Sequence, residues 1–216
     1  MWFPRCLIRC TLRRIASCAK IGFMPKVAVV VIDVQEGILA GISRRRPEET
    51  ERALDACVWR ISELLKRARA AKVPVIYVQH EGGVGHRLEP GSAGFPIREE
   101  IQPKRGEVIV HKKFCDSFFE TSLLDELKKL GAEQLVIAGC MTQYCIDTST
   151  RRAVSVGFDV TLVADGHMCG DTRTLTFDQI IAHHNALLDG FDAGGKSVTV
   201  KPAAEIDFAN ASVATS

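Results

Sequence analysis

Apolar positions fall along this chain in two alternating rhythms. Continuous β-branched runs at residues 26–34 (KVAVVVIDV) and 73–80 (VPVIYVQH) are too apolar for half-exposed strands. They predict central parallel strands covered on both faces. Between them Leu54, Val58, Ile61, Leu65 and Ala68 recur at three and four residues, the spacing of one helix face, and Pro47 suits the first helical position. The alternation continues with a strand at 107–110 that delivers His111 and Lys112. A helix follows at about 119–130, with Thr121 or Ser122 as cap and Gly131 as stop. A strand at 135–138, a helix through 156, a strand at 158–164 ending at Asp165, a helix at 176–191 and a sixth strand at 197–200 complete the order.

Such alternation predicts an α/β fold, a three-layer α/β/α sandwich around a mostly parallel, six-stranded, Rossmann-like sheet with right-handed crossovers. Ligands of these sheets bind at the carboxyl ends of the strands. Asp33, His80, Lys112, Cys145 and Asp165 all fall at or just past such ends. Cys145 also opens a helix, where unpaired N–H groups and the positive end of the dipole favour a thiolate. A lone cysteine is otherwise often a small buried hydrophobe. A thiol beside a carboxylate and an ammonium is the combination that acyl transfer requires. Residues 81–106, rich in Gly and Pro, are long for a plain connection and predict a functional loop.

Charge divides the 216 residues unevenly. Residues 1–26 hold six Lys or Arg and no acid, which leaves 22 basic against 26 acidic residues in the body. That body gives no support to a nucleic-acid partner. The composition of 1–25 is that of a mitochondrial transit peptide; with Met24 just before the first strand, a disordered extension and a start-site artefact are the alternatives. The expected organisation is a leader at 1–25, one domain at 26–203 and a tail at 204–216. No apolar run reaches membrane-span length, so no membrane partner is expected. The expected location is cytoplasmic, or mitochondrial if the leader is a real transit peptide. Three of eight cysteines, Cys6, Cys10 and Cys18, lie in the leader, and the others show no disulfide-framework or zinc-finger spacing.

Three motifs in order, IDVQ with Asp33, VIVHKKFCDSFFETSL with Lys112 and AGCMTQYCIDTSTRRA with Cys145, resemble those of the isochorismatase-like cysteine hydrolases. Asp165–His167 (DGH) and IIAHHN in the last helix look closest to the streptothricin hydrolase-like subgroup. The resemblance implies a catalytic triad of Asp33, Lys112 and Cys145, and a cis peptide between Cys140 and Met141. It also implies an oxyanion hole from the Met141 and Cys145 N–H groups, a small-molecule amide substrate and a homo-oligomer. Lys112 rather than Lys113 is implied because it stands six residues before Phe118 of the F-x-x-T-x-L helix start. Gln35, His80 and His167 are candidate substrate contacts; Gln35 alternatively closes the strand end, and His167 alternatively pairs with the thiol. His80, His86 and Glu81 lack the Asp of a nicotinamidase-type metal motif, so neither metal nor cofactor is expected. The competing readings are a silent scaffold on the same fold, an ether hydrolase and a nucleotide-binding module. The last lacks both G-x-G-x-x-G and a Walker sequence.

Overall fold

The computed structural model describes residues 26–42 and 45–209, so the basic leader, Arg44 and residues 210–216 lie outside the described residues. Seven strands form one sheet: β1 Val27–Ile32, β2 Val75–His80, β3 Val108–Lys112, β4 Gln134–Cys140, β5 Asp159–Met168, β6 Asp192–Ala193 and β7 Lys196–Lys201. Their spatial order is β3-β2-β1-β4-β5-β7-β6. Every neighbouring pair is parallel except β6 with β7. Four α-helices, α1 Pro47–Ala70, α2 Leu123–Lys129, α3 Asp147–Ser155 and α4 Phe177–Leu188, cover the two faces.

Alternation of side chains along β1 explains why both faces need cover. Val29 and Val31 pack with Leu54, Val58, Ile61 and Leu65 of α1, while Ala28, Val30 and Ile32 pack with Leu127 of α2 and Ala153 of α3. Burying each such aliphatic side chain contributes about 1.5–3 kcal/mol.

Several boundaries differ from the sequence reading. The sheet has seven strands, not six: β6 has two residues and joins β7 through Gly194 and Gly195, both at positive φ (59° and 81°). That is the backbone a tight hairpin demands. Helix α2 starts at Leu123 rather than near 119. Glu120 has φ 53°, and the hydroxyl of Thr121 donates to Ser117 O at 2.6 Å, which holds the preceding residues in a loop. On α4, Leu188 is buried in the core while Leu187 is exposed. Past β7, Ile206 and Phe208 are buried in the core, and Arg67 donates to Ile206 O at 2.8 Å.

Strand β5 is longer than expected and runs through Asp165, Gly166 and His167. Its register with β4 shifts after Ile137 and resumes with Gly139 opposite His167. Gly139 has φ +133°, and a Cβ there would lie 2.0 Å from Ile32 O of β1. Only glycine fits that contact.

Candidate active site

The sheet order reverses between β1 and β4, the crevice where open α/β sheets bind ligands. Asp33 follows β1 on one side of it and Cys145 follows β4 on the other. Asp33 is non-glycine at φ 53°, and its N–H donates to Val78 O at 2.8 Å. Strand β4 leads into the cis Cys140–Met141 peptide. The chain then winds into a wide π turn over Thr142–Ile146, in which Met141 O accepts from Tyr144 N at 3.0 Å and Ile146 N at 3.3 Å. Such turns recur at functional sites.

Lys112, at the end of β3, crosses beneath β2 to join the two sides. Its Nζ lies 2.5 Å from Asp33 Oδ2, 3.1 Å from Cys145 Sγ and 3.1 Å from Phe114 O. An ammonium has three protons, and three partners lie within reach of it. Lys112 is 2% exposed and Asp33 1%. Lys113 is exposed. Although the Asp33–Lys112 contact is short, neither Asp33 oxygen has a well-angled hydrogen bond; it is an ion pair first.

Electrostatics contradict the low thiol pKa that the helix start suggested. Burial, and then the Asp33 charge, push Cys145 above its ordinary value, with Lys112 opposing. Burial likewise raises Asp33 despite Lys112. Burial opposes the Lys112 charge, but Asp33 and Cys145 together raise its pKa, so it stays protonated. Asp33 and Cys145 therefore compete for one proton beside a permanent cation. The chemistry available is proton transfer between them, which exposes a thiolate only as it reacts. Burial raises Cys57 and Cys169 to about 12 and Cys140 well above its ordinary value. What separates Cys145 from them is an adjacent base and cation.

The remaining sequence candidates divide. Gln35 is buried: its Nε2 donates to His80 O at 3.1 Å and Phe95 O at 2.8 Å, and its Oε1 accepts from His80 N at 2.9 Å. All its bonds go to backbone, so it closes the strand end. His80 lines a pocket of about 540 Å³ with Glu81, His86, Glu89 and Lys113. Burial, and then the charges of Lys112, His86 and Arg87, push His80 down to about 4, and its buried Nδ1 has no partner. His86 Nδ1 accepts from Leu88 N–H at 3.1 Å, so its Nε2, 3.3 Å from Arg87 Nη1, carries the ring proton. Among the described residues, no three His, Cys, Asp or Glu side chains converge as a metal-binding group. His167 is buried, with its nitrogens on Thr142 and Asn185, away from the thiol. Asp165 does not join the site: its Oδ1 accepts from Ala203 N at 2.7 Å and its Oδ2 lies 3.4 Å from Arg60 Nε.

Arg87 was not singled out from the sequence, where it reads as one more solvated cation in a Gly-rich loop. It is half-buried, and Nε donates to Ile38 O at 3.1 Å. Burial lowers its pKa, and its one opposing charge is Cys145. Among the described residues it makes no ion pair with a carboxylate, whereas Arg98 lies within 4 Å of four, those of Glu36, Glu51, Asp55 and Glu100.

Comparison with known proteins puts this α/β fold among hydrolases. The isochorismatase domain model matches residues 27–191, and the chain belongs to that family. It is 31% identical over 156 residues to an uncharacterized isochorismatase family protein of Bacillus subtilis, covering 71% of this chain and 83% of the relative. It is 31% identical over 144 residues to a streptothricin hydrolase of Streptomyces noursei, covering 67% of this chain and half (50%) of the relative. It is 30% identical over 162 residues to a maleamate amidohydrolase of Pseudomonas putida, covering 68% and 74%. Among solved structures, an isochorismatase of Pseudomonas putida KT2440 aligns with a TM-score of 0.73 at 27% identity, covering 83% of this chain and 89% of that one.

Proposed function

We propose that this protein cleaves the C–N bond of a small amide through a thioester on Cys145. The observation that carries the reading is the buried contact of Lys112 Nζ with both Asp33 Oδ2 (2.5 Å) and Cys145 Sγ (3.1 Å). Asp33 takes the thiol proton as sulfur attacks the amide carbonyl, and the S–C bond forms. The N–H groups of Met141 and Cys145 receive the oxyanion. As the C–N bond breaks, Asp33 returns the proton to the departing nitrogen. Water then attacks the thioester with Asp33 again as base, releasing the acid and restoring the thiol. Lys112 keeps the two anions compatible throughout.

Arg87 adds a substrate preference. A half-buried guanidinium with no carboxylate partner among the described residues suits a substrate that carries a carboxylate. The amidohydrolase relative, by its name, acts on such a compound, maleamate. Assembly as a homo-oligomer, implied by the resemblance, is part of this reading.

The test is ammonia release across paired small primary amides with and without a carboxylate. Activity should appear and favour the acids. Cys145→Ala should abolish it, and Arg87→Met should raise KM for the acids about tenfold while sparing the neutral amides. Full activity in Cys145→Ala would end the proposal.

A further inference from the structure

Thr142 and His167, both buried, and the half-buried Asn185 form a polar chain that the acyl-transfer steps do not use. Thr142 Oγ1 lies 2.9 Å from His167 Nδ1, and His167 Nε2 lies 2.8 Å from Asn185 Oδ1. Asn185 Nδ2 donates to Ala164 O at 2.9 Å.

The direction of every bond follows from the last one. A backbone carbonyl only accepts, so Asn185 turns its NH2 to Ala164 and its Oδ1 to His167. Oδ1 also only accepts, so Nε2 carries the ring proton and Nδ1 a lone pair. The Thr142 hydroxyl must then donate to Nδ1. Burial supports the neutral ring by pushing His167 down to about 4.

Thr142 is the first residue of the π turn that ends in Cys145 and Ile146, and it follows Met141 directly. No side chain caps the start of that turn from within. Its outside anchor runs to β5, through His167, and to α4, through Asn185. His167 also sits opposite Gly139 where the β4–β5 register resumes, so the anchor is rigid at its base.

We propose that His167 is a positioning residue: acting through Thr142, it fixes the turn that presents the Cys145 thiol and the Met141 and Cys145 N–H groups to the substrate carbonyl. This inference rests on the acyl-transfer reading and deepens it. A chain that only satisfied buried polar groups would matter for stability alone, and the two roles separate experimentally.

Two reagents on the full-length chain make the separation. 4-Nitrophenyl acetate acylates the sulfur by carbonyl addition: the S–C bond forms, the C–O bond breaks and 4-nitrophenolate leaves. Iodoacetamide alkylates the same sulfur by displacement of iodide at a saturated carbon, with no oxyanion. Cys145 is followed by peptide mapping, because Cys115 is an exposed competing thiol. In His167→Leu and in Thr142→Val, acylation should fall by about tenfold or more, towards the loss seen when one oxyanion donor is removed. Alkylation should stay within about twofold, and the double variant should be no worse than either single one. His167→Asn, whose Oδ1 can accept from Thr142 in place of Nδ1, should recover most of the acylation rate.

Folded variants, judged by near-UV circular dichroism, that acylate at the native rate would overturn the inference. So would variants that lose acylation and alkylation in equal proportion. If His167→Leu does not fold, the near-isosteric Thr142→Val decides the matter. A native protein that is alkylated but never acylated at Cys145 removes the acyl-transfer reading, and this inference with it. Native acylation matched by the variants removes the inference alone.

Discussion

The two sides of the sheet's carboxyl edge are built on opposite principles. On the β1–β3 side, Asp33 and Lys112 are charged and buried, and Asp33 lacks well-angled hydrogen bonds. On the β4–β5 side, Thr142, His167 and Asn185 are neutral and paired from end to end. The first arrangement is costly and holds a proton that can move. The second is saturated and holds geometry. Reactivity and position are thus separated by a few residues, each group kept in the bonding state its task requires.

The most severe way to break this contrast is to remove the base. Asp33→Asn should cut turnover by about 10²–10⁴-fold. The carboxylate raises the Cys145 thiol while Lys112 lowers it, so the same substitution should speed alkylation of Cys145 at pH 7. A thiol that becomes easier to label as the enzyme becomes inactive identifies Asp33 as a proton carrier; parallel loss of both would contradict that role. The direction of the Asp33 shift also puts the acid limb of native turnover above the ordinary carboxylate value of about 3.9.

Lys112→Met attacks the same side through stability. It leaves Asp33 with an unpaired buried charge and should cost about 3–5 kcal/mol in urea denaturation. Adding Asp33→Leu should return part of that loss, because an unpaired charge costs more than an absent pair.

The neutral side should answer to pH instead. The folded-state pKa of His167 lies near 4, below the free value of 6.5. Between these values the unfolded chain binds more protons, so stability rises with pH across that window and is lost as pH falls from 6.5 towards 4. The span corresponds to about 3 kcal/mol for this buried ring. His167→Gln should flatten the change in Tm between pH 6.5 and pH 4; an unchanged slope would assign the titration to another group, His80 being the next candidate.

The meeting of Asp33, Lys112 and Cys145 was legible in the sequence because each stands at or shortly after the end of a strand whose apolar run is unmistakable: VAVVVI before Asp33, VIVH before Lys112 and QLVIAGC ahead of Cys145. The two-layered cover of the sheet was legible for the same reason. Less visible were features fixed by partners distant in sequence. Strand β5 continues through Asp165 and Gly166, residues that read locally as a turn, because β4 offers a second stretch of register beyond its bulge. Strand β6 has two residues and no pattern of its own. Arg87 looks solvated, but the loop around it half-buries the guanidinium against Ile38 O. The thiol's acidity was misjudged because the helix start is written in the sequence, whereas burial and the neighbouring Asp33 charge are not.

Gly139 gives the site one further property. Because its Cα stands where any Cβ would press 2.0 Å from the backbone oxygen of Ile32, the gap between β1 and β4 is set by main chain against main chain. Asp33 follows Ile32 directly, and the turn that carries Cys145 begins three residues after Gly139. The strand pair therefore works as a gauge block: its thickness does not depend on any side chain, so drift in the surrounding core can recolour the walls of the site while the spacing of the two main chains that lead to Asp33 and to the Cys145 turn stays constant.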